Sequence, residues 1–450
     1  MENRQKQIVD LLVIGSACWC QGEWLSDIGL AIKDQKIIDL GPRDTILTKY
    51  GAEQIVGGDS TLILPGLIDA HTHPAQHLLR GYIVEELPMI WSRILMPYES
   101  TLTPDDVFLS TQLACLEMLR AGITTFADAG SIHPDAVCAA VEAMGVRALV
   151  TFSGADQGEL IPETMRFPTA RVVGEIERLY RSWHGKANGR ITVAGSIRQL
   201  MVASPDLVRE MSALTKDYHI PLHMHLAEHR AEIEHCLKHY HCRPVEYLAN
   251  IGVLGDHIIA AHAVLLSDRE IRLLADYGVN VVHCPIANLT SHGIPKVTQI
   301  KAAGCNIAIG TDGTAGYRAD LFEVTRVLYL VSRAFHGLPV HDVTPLKAAE
   351  LLQMITTNPA VACKMLFTGS IEIGKEADLI LLSVDNVNLT PLVHLEKSAF
   401  LYLTPLAITH VIVQGKLLIK NGDLLVADEH ELLRKGRDAQ RAILRRAGLA

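Results

Sequence analysis

The chain has 450 residues, 49% of them hydrophobic and 20% charged, with a net charge of −9 and an isoelectric point near 6.2. This is the composition of a folded globular protein, and the length suits one large α/β barrel carrying a smaller appendage. The acidic balance leaves no basic stripe, so no nucleic acid and no membrane surface is expected as a partner, and no apolar run of about 20 residues marks a spanning helix.

The N-terminal stretch "MENRQKQIVDLLVIGSACWC" has a faint signal-peptide look, but Asp10 interrupts its short apolar run and a β-strand is the better reading. Short alternating strands with turn residues between them fill residues 8–63, and the same character returns over 368–424, where Asn421-Gly422 is a hairpin turn. The two flanks are expected to join as one small β-sandwich domain from residues 1–65 and 367–450, ending in a charged helix from about 427.

Between the flanks, over 66–366, apolar strand-like runs alternate with helical stretches. The runs are "GLIDAHTH" (66–73), "GITTFADAG" (122–130), "RALVTFSG" (147–154), "RITVAGSI" (190–197), "PLHMHLAE" (221–228), "HIIAAHA" (257–263), "VNVVHCP" (279–285) and "CNIAIGTDG" (305–313). The first long helix reads "LTPDDVFLSTQLACLEMLRAG", with Thr103 as N-cap, Pro104 at the first helical position and Gly122 as the stop. Eight strands each followed by a helix make an α/β fold, a (β/α)8 TIM barrel, whose active site lies at the C-terminal strand ends.

At those ends stand His71 and His73, Asp128, Arg198, His225 and Glu228, His262, His283, and Asp312. An H-x-H triplet alone decides nothing, since 21 histidines in this chain produce about one by chance and three occur. Context decides: residues i and i+2 of a strand face the same side, so His71 and His73 both point into the barrel mouth. Together with His225 and Asp312 they offer three imidazoles and a carboxylate, a donor set suited to a catalytic zinc with room left for water.

"PGLIDAHTH", "HLAEH", "AAHAVLLSD", "HCPIANLTSHGIPKV" and "IGTDG" occur in the order and spacing of the amidohydrolase superfamily. The resemblance is to its branch of cytosine, guanine and methylthioadenosine/S-adenosylhomocysteine deaminases and triazine hydrolases. "LLRG", "GSIEIGKEADLILL" and "VIVQGKLLIKNG" extend it over nearly the whole chain. It implies one divalent metal ion, zinc with iron as the alternative, held by His71, His73, His225 and Asp312. It further implies Glu228 as proton carrier to a ring nitrogen, His262 as partner of the attacking water, and His283 beside the substrate or outside the metal ligands. Binuclear members commonly carry a carboxylated lysine at the fourth strand, and "RITVAGSIRQL" has none, which favours a single metal ion. A homodimer or larger homo-oligomer is also implied.

The expected reaction is hydrolytic deamination of an amino-substituted N-heterocycle, with water activated by the metal, Asp312 taking its proton and ammonia leaving. The same machinery could expel an alkylamine or chloride from a triazine. Where the nucleoside deaminases of this branch carry an acid two residues before a tryptophan, this chain has Met89 before Trp91, and Arg198 replaces a histidine after the fourth strand. An unpaired guanidinium there favours an oxo-purine, pterin or hydroxytriazine over adenosine, the nucleoside deaminase being the alternative.

Trp91 and His77 are expected beside the substrate, His77 equally well on the surface. His223 reads as a packed histidine behind His225, and Asp128 as either a strand-end cap or a site residue. His239 and His241 read as solvated. A noncatalytic scaffold would be expected to lose metal ligands, and none is lost. Nine scattered cysteines, odd in number and without C-x-x-C, point to a reduced, cytoplasmic protein.

Overall fold

The computed structural model describes residues 6–86, 89–159 and 161–449. Its first four strands are β1 (Gln7–Cys20), β2 (Glu23–Lys33), β3 (Lys36–Pro42) and β4 (Tyr50–Pro65). The central strands are β5 (Leu67–Thr72), β6 (Ile123–Asp128), β7 (Arg147–Val150), β8 (Ile191–Val193), β9 (Gly195–Ile197), β10 (Leu222–Leu226), β11 (Ile258–His262), β12 (Asn280–His283) and β13 (Ile307–Ile309). At the C-terminal end come β14 (Leu379–Ser383), β15 (Ile408–Val413), β16 (Lys416–Lys420) and β17 (Asp423–Leu424).

The central strands form two parallel sheets, ordered β5-β6-β7-β8 and β13-β12-β11-β10-β9. Each of the eight expected runs supplies strand, though shorter than its apolar stretch. The fourth is broken at Ala194 into β8 and β9, so one chain segment passes from the first sheet into the second. At the other edge the sheets meet again through a parallel bridge between Thr72 and Asp312 and a 2.9 Å hydrogen bond from the Asp312 amide to the His71 carbonyl. Asp69 ties the same edges together, accepting from the Thr311 amide at 3.0 Å and the His71 amide at 3.2 Å. Strands β5, β6, β10 and β11 are buried along their whole length, as parallel strands covered by helices must be.

The covering helices follow from local sequence. In Pro104–Arg120 the Thr103 hydroxyl accepts from the Asp106 amide while the Asp106 carboxylate accepts from the Thr103 amide, a reciprocal cap, and Gly122 ends the element with φ of +77°.

Both chain ends contribute to one eight-strand sheet, ordered β17-β16-β15-β14-β4-β1-β2-β3. The joint is antiparallel pairing of β14 with β4, from Leu379 opposite Pro65 to Ser383 opposite Thr61. Its inward residues, among them Leu30, Ile32, Ile63 and Leu379, pack into an apolar cluster of their own. Asn421 and Gly422, both with positive φ, make the hairpin turn between β16 and β17, and the terminal helix is Glu429–Arg446. Arg147, wholly buried at the start of β7, donates to Asp378 through Nε at 2.5 Å and Nη2 at 3.2 Å and also pairs with Glu376. That buried pair links the central strands to the sheet.

Candidate active site

Histidines from β5, β10 and β11 meet where the two parallel sheets touch. His71 Nε2 lies 3.4 Å and His73 Nε2 3.5 Å from Asp312 Oδ1, and His73 Nε2 faces His225 Nε2 at 3.3 Å. Two triads, His71–His73–Asp312 and His71–His225–His262, each bring their ligand atoms within 4.8 Å of one another. Two ring nitrogens facing each other with an acceptor-only carboxylate beside them leave lone pairs without donors. His71 Nε2 and His262 Nε2 are buried with no hydrogen-bond partner among the described residues. A metal cation satisfies such a set, and these residues fit one.

Burial pushes the imidazoles of His71, His73 and His225 below their ordinary pKa, for His73 and His225 well below, so they present neutral, ligating nitrogens. Burial alone would raise the Asp312 carboxyl, but the adjacent imidazoles of His71, His262 and His73 hold it low. His262 and Asp312 both sit at positive φ, 70° and 63°, at strand ends where conformational cost is tolerated for side-chain placement.

Behind the cluster, His223 Nε2 lies 3.0 Å from His71 Nδ1, and His262 Nδ1 lies 2.9 Å from Asn288 Oδ1 of the "HCPIAN" turn. Each partner leaves the Nε2 of its histidine for the cluster. His223 is thus the packed second-layer histidine that its position implied.

The cluster opens into a cavity of about 420 Å³ bordered by His73, His225, Asp312 and Glu228 on one side. Met89, Ile90, Trp91, Leu95 and Met201 form much of the remaining wall. Glu228 follows β10 and is held from two directions: Gln199 Nε2 donates to Oε2 at 2.7 Å, and His292 Nε2 stands 3.1 Å from Oε1, with His262 Nε2 at 3.7 Å. Burial would raise this carboxyl, but the imidazole of His262 and the hydrogen bond from His292 bring it below the ordinary range.

Several expected residues take other positions. Arg198 borders the cavity, yet its fork is occupied: Nη1 reaches Glu99 Oε2 at 2.6 Å and Nη2 reaches Glu99 Oε1 at 3.0 Å. The premise of an unpaired guanidinium selecting an oxo group therefore fails, because Glu99 supplies the acceptor. His77 does not border the cavity. It lies in the tight turn Pro74–Leu79, where one residue is a third of a turn, so Gln76 faces the cavity and His77 turns toward Glu117, 3.7 Å away. His283 is fully buried and does not border the cavity; its Nδ1 lies 2.9 Å from the His262 carbonyl. Asp128 is likewise away from the wall. Its Oδ1 caps the Gly130 amide at 2.9 Å, and burial pushes its carboxyl up to about 7. Trp91 borders the cavity. His239 and His241 are exposed.

Sequence reasoning missed Gln76, Glu99, Gln199 and His292. His292 and Gln199 each carried a signal, standing next to the "HCPIAN" turn and Arg198 respectively. Glu99 carried none.

The amidohydrolase family pattern matches residues 62–418. The chain is 33% identical over 409 residues to a 5-methylthioadenosine/S-adenosylhomocysteine deaminase of Moorella thermoacetica, covering 90% of this chain and 92% of the relative. It is 32% identical over 426 residues to a 5'-deoxyadenosine deaminase of Methanosarcina acetivorans, covering 93% and 94%. Among solved structures it superposes on an adenosine deaminase from Xanthomonas campestris with bound zinc, with a TM-score of 0.91, 27% identity and coverage of 98% and 99%. The chain belongs to the amidohydrolase family.

Proposed function

We propose that this chain is a metal-dependent aminohydrolase, a hydrolase acting on C–N bonds, which deaminates an amino-substituted N-heterocycle and releases ammonia. The observation that carries the reading is the convergence of His71, His73, His225 and Asp312 beside Glu228 on the wall of one cavity. In this reading the two parallel sheets close through the Thr72–Asp312 bridge into a (β/α)8 barrel over 66–366. Residues 1–65 and 367–450 form the small β-sandwich domain and the terminal helix.

The four residues hold one divalent ion, zinc or else iron, and a bound ion of this kind supplies the Lewis acidity that brings water toward deprotonation at neutral pH. Asp312 accepts the proton that the attacking water gives up, and His262, turned by Asn288, orients that water. Glu228, fixed by Gln199 and His292, hands a proton to the ring nitrogen next to the carbon under attack. A C–O bond forms and the C–N bond breaks; the proton taken up by Asp312 passes to the departing amine, which leaves as ammonia, and the water's other proton replaces the one that Glu228 gave to the ring nitrogen.

Within the heterocycle class two substrates compete. Amino-oxo rings are favoured by the absence of an acid at Met89 to meet ribose hydroxyls. Adenine nucleosides are favoured by the closed Arg198–Glu99 pair, which removes the desolvation argument against them, and by the names of the relatives. Free cysteines throughout the described chain and the net charge of −9 support a cytoplasmic protein acting on small molecules. No helix among the described residues is long and apolar enough to cross a membrane, and assembly as a homodimer or larger homo-oligomer completes the reading.

Purified protein should carry about one equivalent of zinc or iron and release ammonia from at least one of guanine, a pterin, a hydroxytriazine, adenosine, methylthioadenosine and 5'-deoxyadenosine. Metal-loaded protein silent on the whole panel, or activity requiring two equivalents, would sink the corresponding part of this reading.

A further inference from the structure

The H-x-H triplet of His239 and His241 does not act as a triplet, because the helix Arg230–Tyr240 ends between its members: His241 takes φ of +57° and leaves the helical path. The helical period pairs His239 with His235 instead. Residues four apart lie on one face, and these two rings stand with centroids 4.5 Å apart and planes 37° apart. The proposed metal-binding histidines of the cavity have nearly the same spacing, 4.8 Å between His71 and His225 and 5.1 Å between His71 and His73. Two histidines at i and i+4 of a helix form a metal-chelating arrangement without help from any other element.

Neither ring is spent on hydrogen bonding. Among the described residues neither imidazole has a hydrogen-bond partner, and His235 Nε2 is buried without one. A buried nitrogen left in that state carries a desolvation cost that a ligand would offset. Burial, with His239 and Lys238 beside it, holds the His235 imidazole below its ordinary pKa, so the ring is neutral and offers a lone pair. His239 is exposed, and its ring is free to rotate toward a shared ion. It lies in the last turn of the helix, where unsatisfied carbonyls favour a cation. Glu234 is engaged by Arg230 at 2.6 Å, and among the described residues no further histidine, cysteine or carboxylate joins the pair within 4.8 Å. The protein therefore contributes two imidazoles and leaves the remaining positions to water. Such a pair suits borderline transition ions; calcium and magnesium require oxygen donors.

We propose that His235 and His239 form a second, peripheral metal site on the helix that follows β10, taking a divalent ion of the copper, nickel and zinc type. It is separate from the cavity, which Ala231 borders at the opposite end of the same helix. The two rings meet only while the helix is formed, so an ion held between them stabilises the folded chain by mass action.

The test uses zinc-loaded protein without an affinity tag, Ni2+ as the probe, and the variants His235→Ala, His239→Ala and His241→Ala. Calorimetric titration of wild type should show about one further Ni2+ bound with the zinc retained, and Ni2+ should raise the melting temperature. His239→Ala, a change at an exposed position, should weaken Ni2+ binding about tenfold or more, because the second imidazole of a chelate acts at high effective concentration. His235→Ala should weaken it by a similar factor and the double variant no further, as two halves of one site require. His241→Ala should bind as wild type does, and wild type should hold Cu2+ more tightly than Ni2+ and Mn2+ more weakly. Ni2+ binding unaltered in His239→Ala, or reduced as much in His241→Ala, overturns the proposal. So does a gain in melting temperature that persists in the double variant. None of these outcomes depends on the deaminase reading.

Discussion

The imidazoles of His71 and His223 lie nearly parallel, 5° apart with centroids separated by 4.9 Å, and a 3.0 Å hydrogen bond joins Nδ1 of the first to Nε2 of the second. This bond sets which nitrogen of His71 faces Asp312. Replacing His223 with Phe keeps the ring volume and removes the partner, so metal affinity should fall about 10–100-fold by competition with a chelator. Unchanged affinity would reduce His223 to packing.

Glu228 touches the cavity without being a proposed ligand. Glu228→Gln should keep its metal and lose turnover by about 10²–10⁴-fold, because an amide cannot carry the proton. His292→Ala should lower kcat by about tenfold more than His292→Gln, which can still donate to Glu228 Oε1. Equal rates in the two His292 variants would show that this bond does not steer the carboxylate.

The histidine cluster also fixes how the metal-stripped protein responds to acid. His71, His73, His223 and His225 are held below their ordinary pKa in the fold, while in the unfolded chain they titrate near 6.5. Below that value the unfolded chain binds more protons, so the fold loses stability as pH falls through about 6.5. The melting temperature of chelator-treated protein should be flat between pH 7 and 8 and decline below pH 6.5. A decline confined to pH below 4 would place the response on carboxylates instead.

Much of this site was legible because its chemistry is written in local pattern. The strand-end residues His71, His73, His225, Glu228 and Asp312 follow apolar runs whose length and turns mark strands, and period-2 geometry does the rest. What was not legible depends on contacts distant in sequence or on turn geometry. Arg198 meets Glu99 across 99 residues, and nothing near either residue announces the pairing. His77 misses the cavity by one residue in a three-residue turn, which a motif cannot resolve. The break at Ala194 leaves no trace in "RITVAGSI", where both halves are equally apolar. The two β-rich flanks were recognisable by character, and the joining of β4 to β14 in a single sheet came from pairing that only the folded chain displays.

Glu232 offers an opposite pH dependence. It is wholly buried, its Oε2 accepts from the Glu228 amide at 3.1 Å, and burial pushes its carboxyl up to about 8. Unfolded, the group releases its proton near 4.3, so between that value and about 8 the folded state holds the extra proton and stability declines as pH rises. Glu232→Gln retains an acceptor for the Glu228 amide and cannot ionise. Its advantage over wild type in urea melts should grow from pH 5 to pH 8 by about 3–4 kcal/mol. No difference at pH 8 would mean that the native carboxyl is ionised after all.

The union of both chain ends bears on how the molecule is made. Translation completes the proposed ligand set at Asp312, yet Arg147 finds its buried partner only when Asp378 has been synthesised, and β4 finds β14 only from Leu379 onward. A nascent chain halted between those points would hold every proposed ligand while leaving a buried guanidinium unpaired and an edge of the N-terminal sheet open. Ribosome-bound intermediates of this length are where chaperones should engage the chain. A premature stop codon after residue 312 would yield a protein with its chemistry written in full and nothing to close it.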